Sequence, residues 1–149
     1  MTNFVDLFAK NNGNPIEYKG RTLFMTAIYS FSSVPDRILL EFEHINGEML
    51  QGLHLEIDRG SLLANGKDCG PDIVLWENTS PKKVEIWISG DPTELRVKNV
   101  FDTGLGIAQY WRDGAAMYAE ENDGFIRYFC NDGEPDEDFD DLVFRMQVK

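Results

Sequence analysis

Turn signals punctuate this chain so often that it leaves little room for long helices. Asn46-Gly47, Asn65-Gly66, Asp123-Gly124 and Asp132-Gly133 recur along it, with Gly90-Asp91-Pro92 as a fifth break. Asn-Gly and Asp-Gly suit two-residue turns in which both central residues need positive φ. Between the breaks lie short runs rich in β-branched and aromatic residues, read as strands at Arg21 to Ser30, Asp72 to Glu77, Lys83 to Ser89, Glu94 to Asp102 and Leu142 to Val148. Many short strands with regular turns predict a sandwich or barrel. The expectation is therefore an all-β fold: an antiparallel, jelly-roll-like β-sandwich of roughly eight to ten strands. One short helix is expected at most, over Asn3 to Lys10, with Phe4, Leu7 and Phe8 on one side.

Pairing arithmetic sharpens two hairpins. A turn at Asn46-Gly47 sets Leu40 opposite Leu53, Ile38 opposite Leu55, and His54 beside Leu39. A turn at Asp123-Gly124 sets Ala119 opposite Tyr128, Met117 opposite Cys130, and Glu120 opposite Arg127. Both registers place apolar residues together on one face, as a half-buried sheet requires.

The chain has 149 residues, 42% of them apolar, which suits one domain spanning 1–149. A domain of about 150 residues buries roughly 70% of the surface its unfolded chain exposes, so no metal or disulfide is needed merely to fold. A formal charge of −12 argues against nucleic acid and anionic membrane partners. It fits a basic protein surface or a hard cation instead. The absence of a basic, then apolar, opening segment predicts a cytoplasmic location. In that compartment Cys69 and Cys130, without CxxC spacing, read as two free thiols.

The densest chemistry lies between Asn131 and Asp141, where seven of eleven residues are carboxylates. Crowded like charges repel, and Ca²⁺, which takes six to eight oxygen ligands, would relieve them. Asp136, Asp138 and Asp140 alternate and would point together from an extended segment. The EF-hand pattern is not met, since its glycine and closing glutamate positions, counted from Asp136, hold Asp141 and Gln147. A solvated loop, with Asp140 or Asp141 bonding backbone amides where the last strand begins, accounts for the same residues. Asp132, Glu134 and Glu137 then remain as contacts for a partner.

Trp87 stands on the face of its strand opposite Val84, Ile86 and Ile88. If uncovered, it is a stacking platform for a glycan or an anchor for a protein. Trp76 and Trp111 read as core residues, and His44 as a packed or edge histidine. No GxSxG, HExxH, P-loop or GxGxxG motif is present, so the sequence argues against an enzyme. A hydrolase with paired carboxylates is the least favoured reading.

Leu75-Trp76, Pro81 with Val84, Asn99-Val100, Trp111 and Ala116-Met117 precede a distinctive ending. That ending runs from Arg127-Tyr128-Phe129-Cys130-Asn131-Asp132-Gly133-Glu134-Pro135-Asp136 through Phe139-Asp140-Asp141-Leu142-Val143-Phe144-Arg145. Together these residues resemble a group of short bacterial proteins without a settled activity, which implies a fold and a bacterial origin but no reaction. Asp138-Phe139-Asp140-Asp141-Leu142-Val143-Phe144 is also similar to the ending of some calcium-associated bacterial β-sandwiches. That likeness implies Asp136, Asp138, Asp140 and Asp141 as Ca²⁺ ligands. The functional expectation is a non-catalytic module that binds a protein or glycan through the acidic loop, with or without Ca²⁺. The alternative is a cytoplasmic immunity or antagonist protein that neutralises a basic toxin or effector.

Overall fold

The chain opens with a two-turn helix, α1 (Phe4–Lys10). Asn3 caps it by accepting the amide of Asp6 at 3.1 Å, and Lys10 complements the negative end of the helix dipole. Among the described residues thirteen strands follow: β1 (Ile16–Tyr18), β2 (Arg21–Leu23), β3 (Ala27–Ser30), β4 (Arg37–Ile45), β5 (Leu50–Ile57), β6 (Ser61–Ala64), β7 (Lys67–Asp68), β8 (Asp72–Trp76), β9 (Lys83–Ser89), β10 (Glu94–Asp102), β11 (Ala116–Asn122), β12 (Phe125–Asn131) and β13 (Leu142–Val148). This computed structural model describes residues 3–46, 49–102, 104, 106, 108, 115–132 and 139–149. No helix among them is long and apolar enough to cross a membrane.

Every strand pairing is antiparallel. One sheet has seven strands in the order β11-β12-β13-β4-β9-β6-β7, a second has four in the order β3-β10-β5-β8, and β1-β2 form a separate hairpin. The two larger sheets share one core. Ile38, Leu40, Ile86, Phe144 and Met146 from the first pack with Leu53, Leu55, Leu95 and Val97 from the second. Apolar alternation on both inner faces is what a sandwich requires. A smaller cluster joins Phe4 and Phe8 of α1 to Leu23, Ala116 and Phe139, so the helix covers one end of the seven-stranded sheet's outer face.

The β11–β12 hairpin has the predicted register: Ala119 faces Tyr128, Met117 faces Cys130, and Glu120 faces Arg127. At its turn only Gly124 takes positive φ, 83°. The type I′ geometry is met instead at Asn65-Gly66, with φ of 52° and 75°. Strands Lys83–Ser89, Glu94–Asp102 and Leu142–Val148 keep their predicted bounds.

The predicted β4–β5 hairpin is corrected. β4 pairs with β13 and β9, whereas β5 pairs with β10 and β8. Leu40 and Leu53 do bury together, but across the sandwich and not side by side. Alternation specifies which face of a strand is buried and says nothing about its lateral neighbour. His54 accordingly lies between Lys98 and Val74, not beside Leu39, and His44 is exposed. The stretch Arg21 to Ser30 also divides, because the chain leaves β2, bridges Met117 through Phe24, and enters the other sheet as β3. Such switches raise the strand number above the expected eight to ten. Trp76 is half-buried over Gly52, where a Cβ would come within 2.8 Å of the indole. Trp111 lies outside the described residues.

Asp58, in the turn after β5, clips that turn to the start of β10. Its Oδ1 accepts the amides of Thr93 at 2.8 Å and Glu94 at 3.1 Å. The hydroxyl of Thr93, foremost, and these amides hold the Asp58 carboxyl down at about 2, from an ordinary 3.8. A depressed folded-state pKa stabilises above the ordinary value, and that stability is lost as pH falls toward 2. Asp58→Asn is therefore expected to lower the thermal midpoint by a few degrees at pH 7. In paired melts the gap to the native protein should close between about pH 4 and pH 2; a gap independent of pH would contradict this role.

Candidate binding surfaces

Between the end of β12 and the start of β13 the acidic segment is tied down at its base. The carboxylate of Asp141 accepts the amide of Asp132 at 2.9 Å, and the side-chain oxygen of Asn131 accepts the amide of Phe139 at 3.0 Å. Two residues from the four-stranded sheet complete the arrangement. Gln51 of β5 donates to Asp132 Oδ2 at 2.9 Å and to the Met49 carbonyl at 3.1 Å. Asn99 of β10 donates to the Asn131 carbonyl at 3.0 Å. Gln51, Asn99, Asn131, Asp132 and Asp141 are the buried polar residues among the described ones, so the buried polarity gathers at this one end of the sandwich. Burial of polar groups is costly unless they are hydrogen-bonded, which explains why they meet.

Phe139 closes the segment with φ of 56°, uncommon for a residue with a Cβ. Its ring is held between Phe4 and Tyr118, with centroid distances of 5.8 and 5.3 Å. Just after β4, Asn46 donates its side-chain amide to Asp140 Oδ2 at 3.2 Å and its backbone amide to the Asp141 carbonyl at 3.1 Å.

Asp132 was expected as a surface contact; it is instead wholly buried and bonded to Gln51. Glu134, Asp136, Glu137 and Asp138 fall outside the described residues. Of the four expected Ca²⁺ ligands, Asp141 already serves a backbone amide, and Asp140 has one oxygen on Asn46. Asp140 Oδ1 and Gln51 Oε1 are buried and lack a hydrogen-bond partner among the described residues. Among the described residues no three His, Cys, Asp or Glu side chains converge as a metal-binding group.

The parts played by Gln51 and Asn99 escaped the sequence reading. Each stands in an inward row, Gln51-Leu53-Leu55-Ile57 and Leu95-Val97-Asn99-Phe101. A polar residue interrupting an apolar row was the available signal, because it demands a buried partner.

Cys130 and Cys69 are both free thiols, Cys130 buried and Cys69 partly so. Burial, aided by the charge of Asp141, pushes the Cys130 thiol well above its ordinary pKa, so it is protonated and a poor nucleophile. His54 approaches Asp72 at 3.0 Å on the outer face of the other sheet. The histidine pair is separated, His44 and His54 belonging to different sheets.

The seven-stranded sheet presents a second surface where α1 does not cover it. Trp87 of β9 is 45% exposed there. The guanidinium of Arg37, which also reaches Glu85 at 3.5 Å, lies 5.2 Å from the centre of its ring. Beside it runs a groove of about 440 Å³, lined by Leu39, Glu41, Lys83, Phe125 and Arg145 among others. Charges along this face are matched across strands. Lys83 and Arg145 both reach Glu41, and Arg127 clasps Glu43 with bonds of 2.7 and 3.1 Å. That clasp holds the Glu43 carboxyl below the ordinary carboxylate range, the hydrogen bond from Arg127 being the main cause. Arg127 and Arg145 also lie 5.3 and 5.4 Å from the Phe125 ring centre. The face is therefore nearly neutral, unlike the chain as a whole. No model of a known protein family matches the chain, and no curated protein is significantly similar to it.

Proposed function

We propose that the chain is a non-catalytic module that binds another protein through the open part of its seven-stranded sheet. The observation that carries this reading is the exposed Trp87, backed by Arg37 and set beside a groove that includes Leu39 and Phe125. Tryptophan and arginine dominate the energetics of protein interfaces, the ring through its large rigid apolar area and the guanidinium through its planar fork of hydrogen-bond donors. A glycan platform needs a bare aromatic face, and here Arg37 already lies over the ring. The matched charges of this face supply register and specificity more than attraction.

The second reading, an antagonist of a basic toxin or effector, is favoured by the net charge of −12. The two differ in salt dependence, since attraction between exposed charges is screened within about 10 Å at 0.1 M salt. Affinity capture with the native chain and with Trp87→Ala separates them. The tryptophan reading expects a partner whose affinity drops about tenfold or more on Trp87→Ala and persists as salt is raised. A partner indifferent to Trp87→Ala and released by salt would favour the charge-driven antagonist.

A further inference from the structure

The sandwich does not close along one side. Four strands cannot cover the inner face of seven, and β3 and β11 are the two sheet edges left there. Between them runs a cleft of about 810 Å³, whose walls include Phe24, Ile28, Tyr29, Ile126 and Tyr128. Ala119 and Glu121 occupy inward-facing positions of β11, paired with Tyr128 and Ile126, yet both are exposed.

Beyond Met117, the backbone of β11 is unpaired along this cleft among the described residues. Met117 exchanges both its backbone bonds with Phe24, at 2.9 and 3.0 Å, on the side away from β12. Alternation turns the N–H and C=O of Ala119 and Glu121 to the same side, where the bridge from β2 has ended. Among the described residues these groups have no backbone partner. The hydroxyl of Tyr29, buried in the cleft wall, also lacks a hydrogen-bond partner among the described residues.

We infer that the cleft receives an extended basic peptide, which adds to β11 as a further strand of the seven-stranded sheet. Backbone bonds to Ala119 and Glu121 align it, and alternate side chains enter the cleft against Ile126 and Tyr128. Charge selects the occupant. Glu121 lines the cleft, Asp123 is exposed at the turn of the same hairpin, and the lining Arg96 is paired with Glu94 at 3.4 Å. A second copy of β11 in that place would bring the Glu120-Glu121 pairs of two chains together, which like-charge repulsion opposes. This site is separate from the Trp87 face and rests on different observations.

The test uses short synthetic peptides of alternating valine and lysine, titrated into the full chain and followed by fluorescence anisotropy. Three comparisons isolate strand addition from simple charge attraction. The first is the same peptide N-methylated at alternate residues, which keeps charge and side chains but cannot extend a sheet. The second is its valine–glutamate counterpart. The third is Ala119→Pro, which removes an N–H facing the free edge and leaves the β11–β12 ladder its bonds; proline is tolerated on such edges. The expected result is binding to the native chain, about tenfold weaker for the N-methylated peptide and for Ala119→Pro, with none for the acidic peptide. Trp87→Ala should bind the peptide like the native chain. Equal binding of the N-methylated peptide overturns the proposal, and so does an edge-dependent dimer in sedimentation. Should Ala119→Pro fail to fold, the N-methylated peptide on the native chain decides alone.

Discussion

Phe144→Ala is expected to remove about 3–5 kcal/mol of folding stability, the range for truncating a buried phenylalanine. The side chain is wholly buried, stacks on Tyr128 with a centroid distance of 4.9 Å and an interplanar angle of 17°, and pairs in register with Phe42. It belongs to β13, which joins the β11–β12 hairpin to the rest of the seven-stranded sheet. Alanine leaves a cavity where the two halves of that sheet meet, and close-packed neighbours relax only partly into it. Typical domains hold about 5–15 kcal/mol in all, so the variant should sit near its unfolding threshold at 25 °C. Urea denaturation gives the value directly. Val148→Ala on the same strand, where the side chain is 36% exposed, should change stability by no more than about 0.5 kcal/mol. A loss below about 1 kcal/mol for Phe144→Ala would mean that this part of the core is not packed as described.

Asp141→Ala is expected to cost about 1–3 kcal/mol without any added metal. Its carboxylate accepts the amide of Asp132, a residue with no exposed surface, and alanine would strand that donor away from water. An unsatisfied buried donor loses its full hydration, which is the larger part of the penalty. The same substitution tests the Ca²⁺ reading. A stability loss present in chelator, and unchanged by millimolar Ca²⁺, identifies Asp141 as the closure of the loop base. A loss that appears only when Ca²⁺ is present would identify it as a ligand. Chemical denaturation in chelator and in calcium distinguishes the outcomes.

These two positions differ in how plainly they could be read from the chain. Phe144 belongs to an alternating run, Leu142, Phe144 and Met146, whose inward face follows from periodicity. The role of Asp141 as an amide acceptor at the start of the last strand was open to the same kind of local reasoning. Its partner was not. Asp132 is nine residues away and buries only because Gln51, from the other sheet, arrives beside it. Trp87 was correctly assigned to the face opposite Val84 and Ile86, but its exposure depends on where α1 packs. The helix lies on Ala116 and Phe139 and leaves Trp87 open.

The turn dipeptides thus carry local information, and they carry it unevenly. Asp123-Gly124 joins strands that are also spatial neighbours, so counting outward from it reproduces the register. Asn46-Gly47 stands between strands that belong to different sheets, and the same counting fails. Nothing in either dipeptide distinguishes the two cases, because apolar alternation is equally well satisfied beside a neighbour or across a core. The all-β character, the buried faces of alternating runs such as Val84-Ile86 and Leu142-Phe144-Met146, and the acidity of the β12–β13 connection follow from residue order alone, since they depend on local composition and on chemistry repeated every second residue. The partition of strands into seven and four, the polar closure at the loop base and the open edge at β11 belong to the tertiary structure. They depend on contacts between residues far apart in the chain, which only the packing of one sheet on the other brings together.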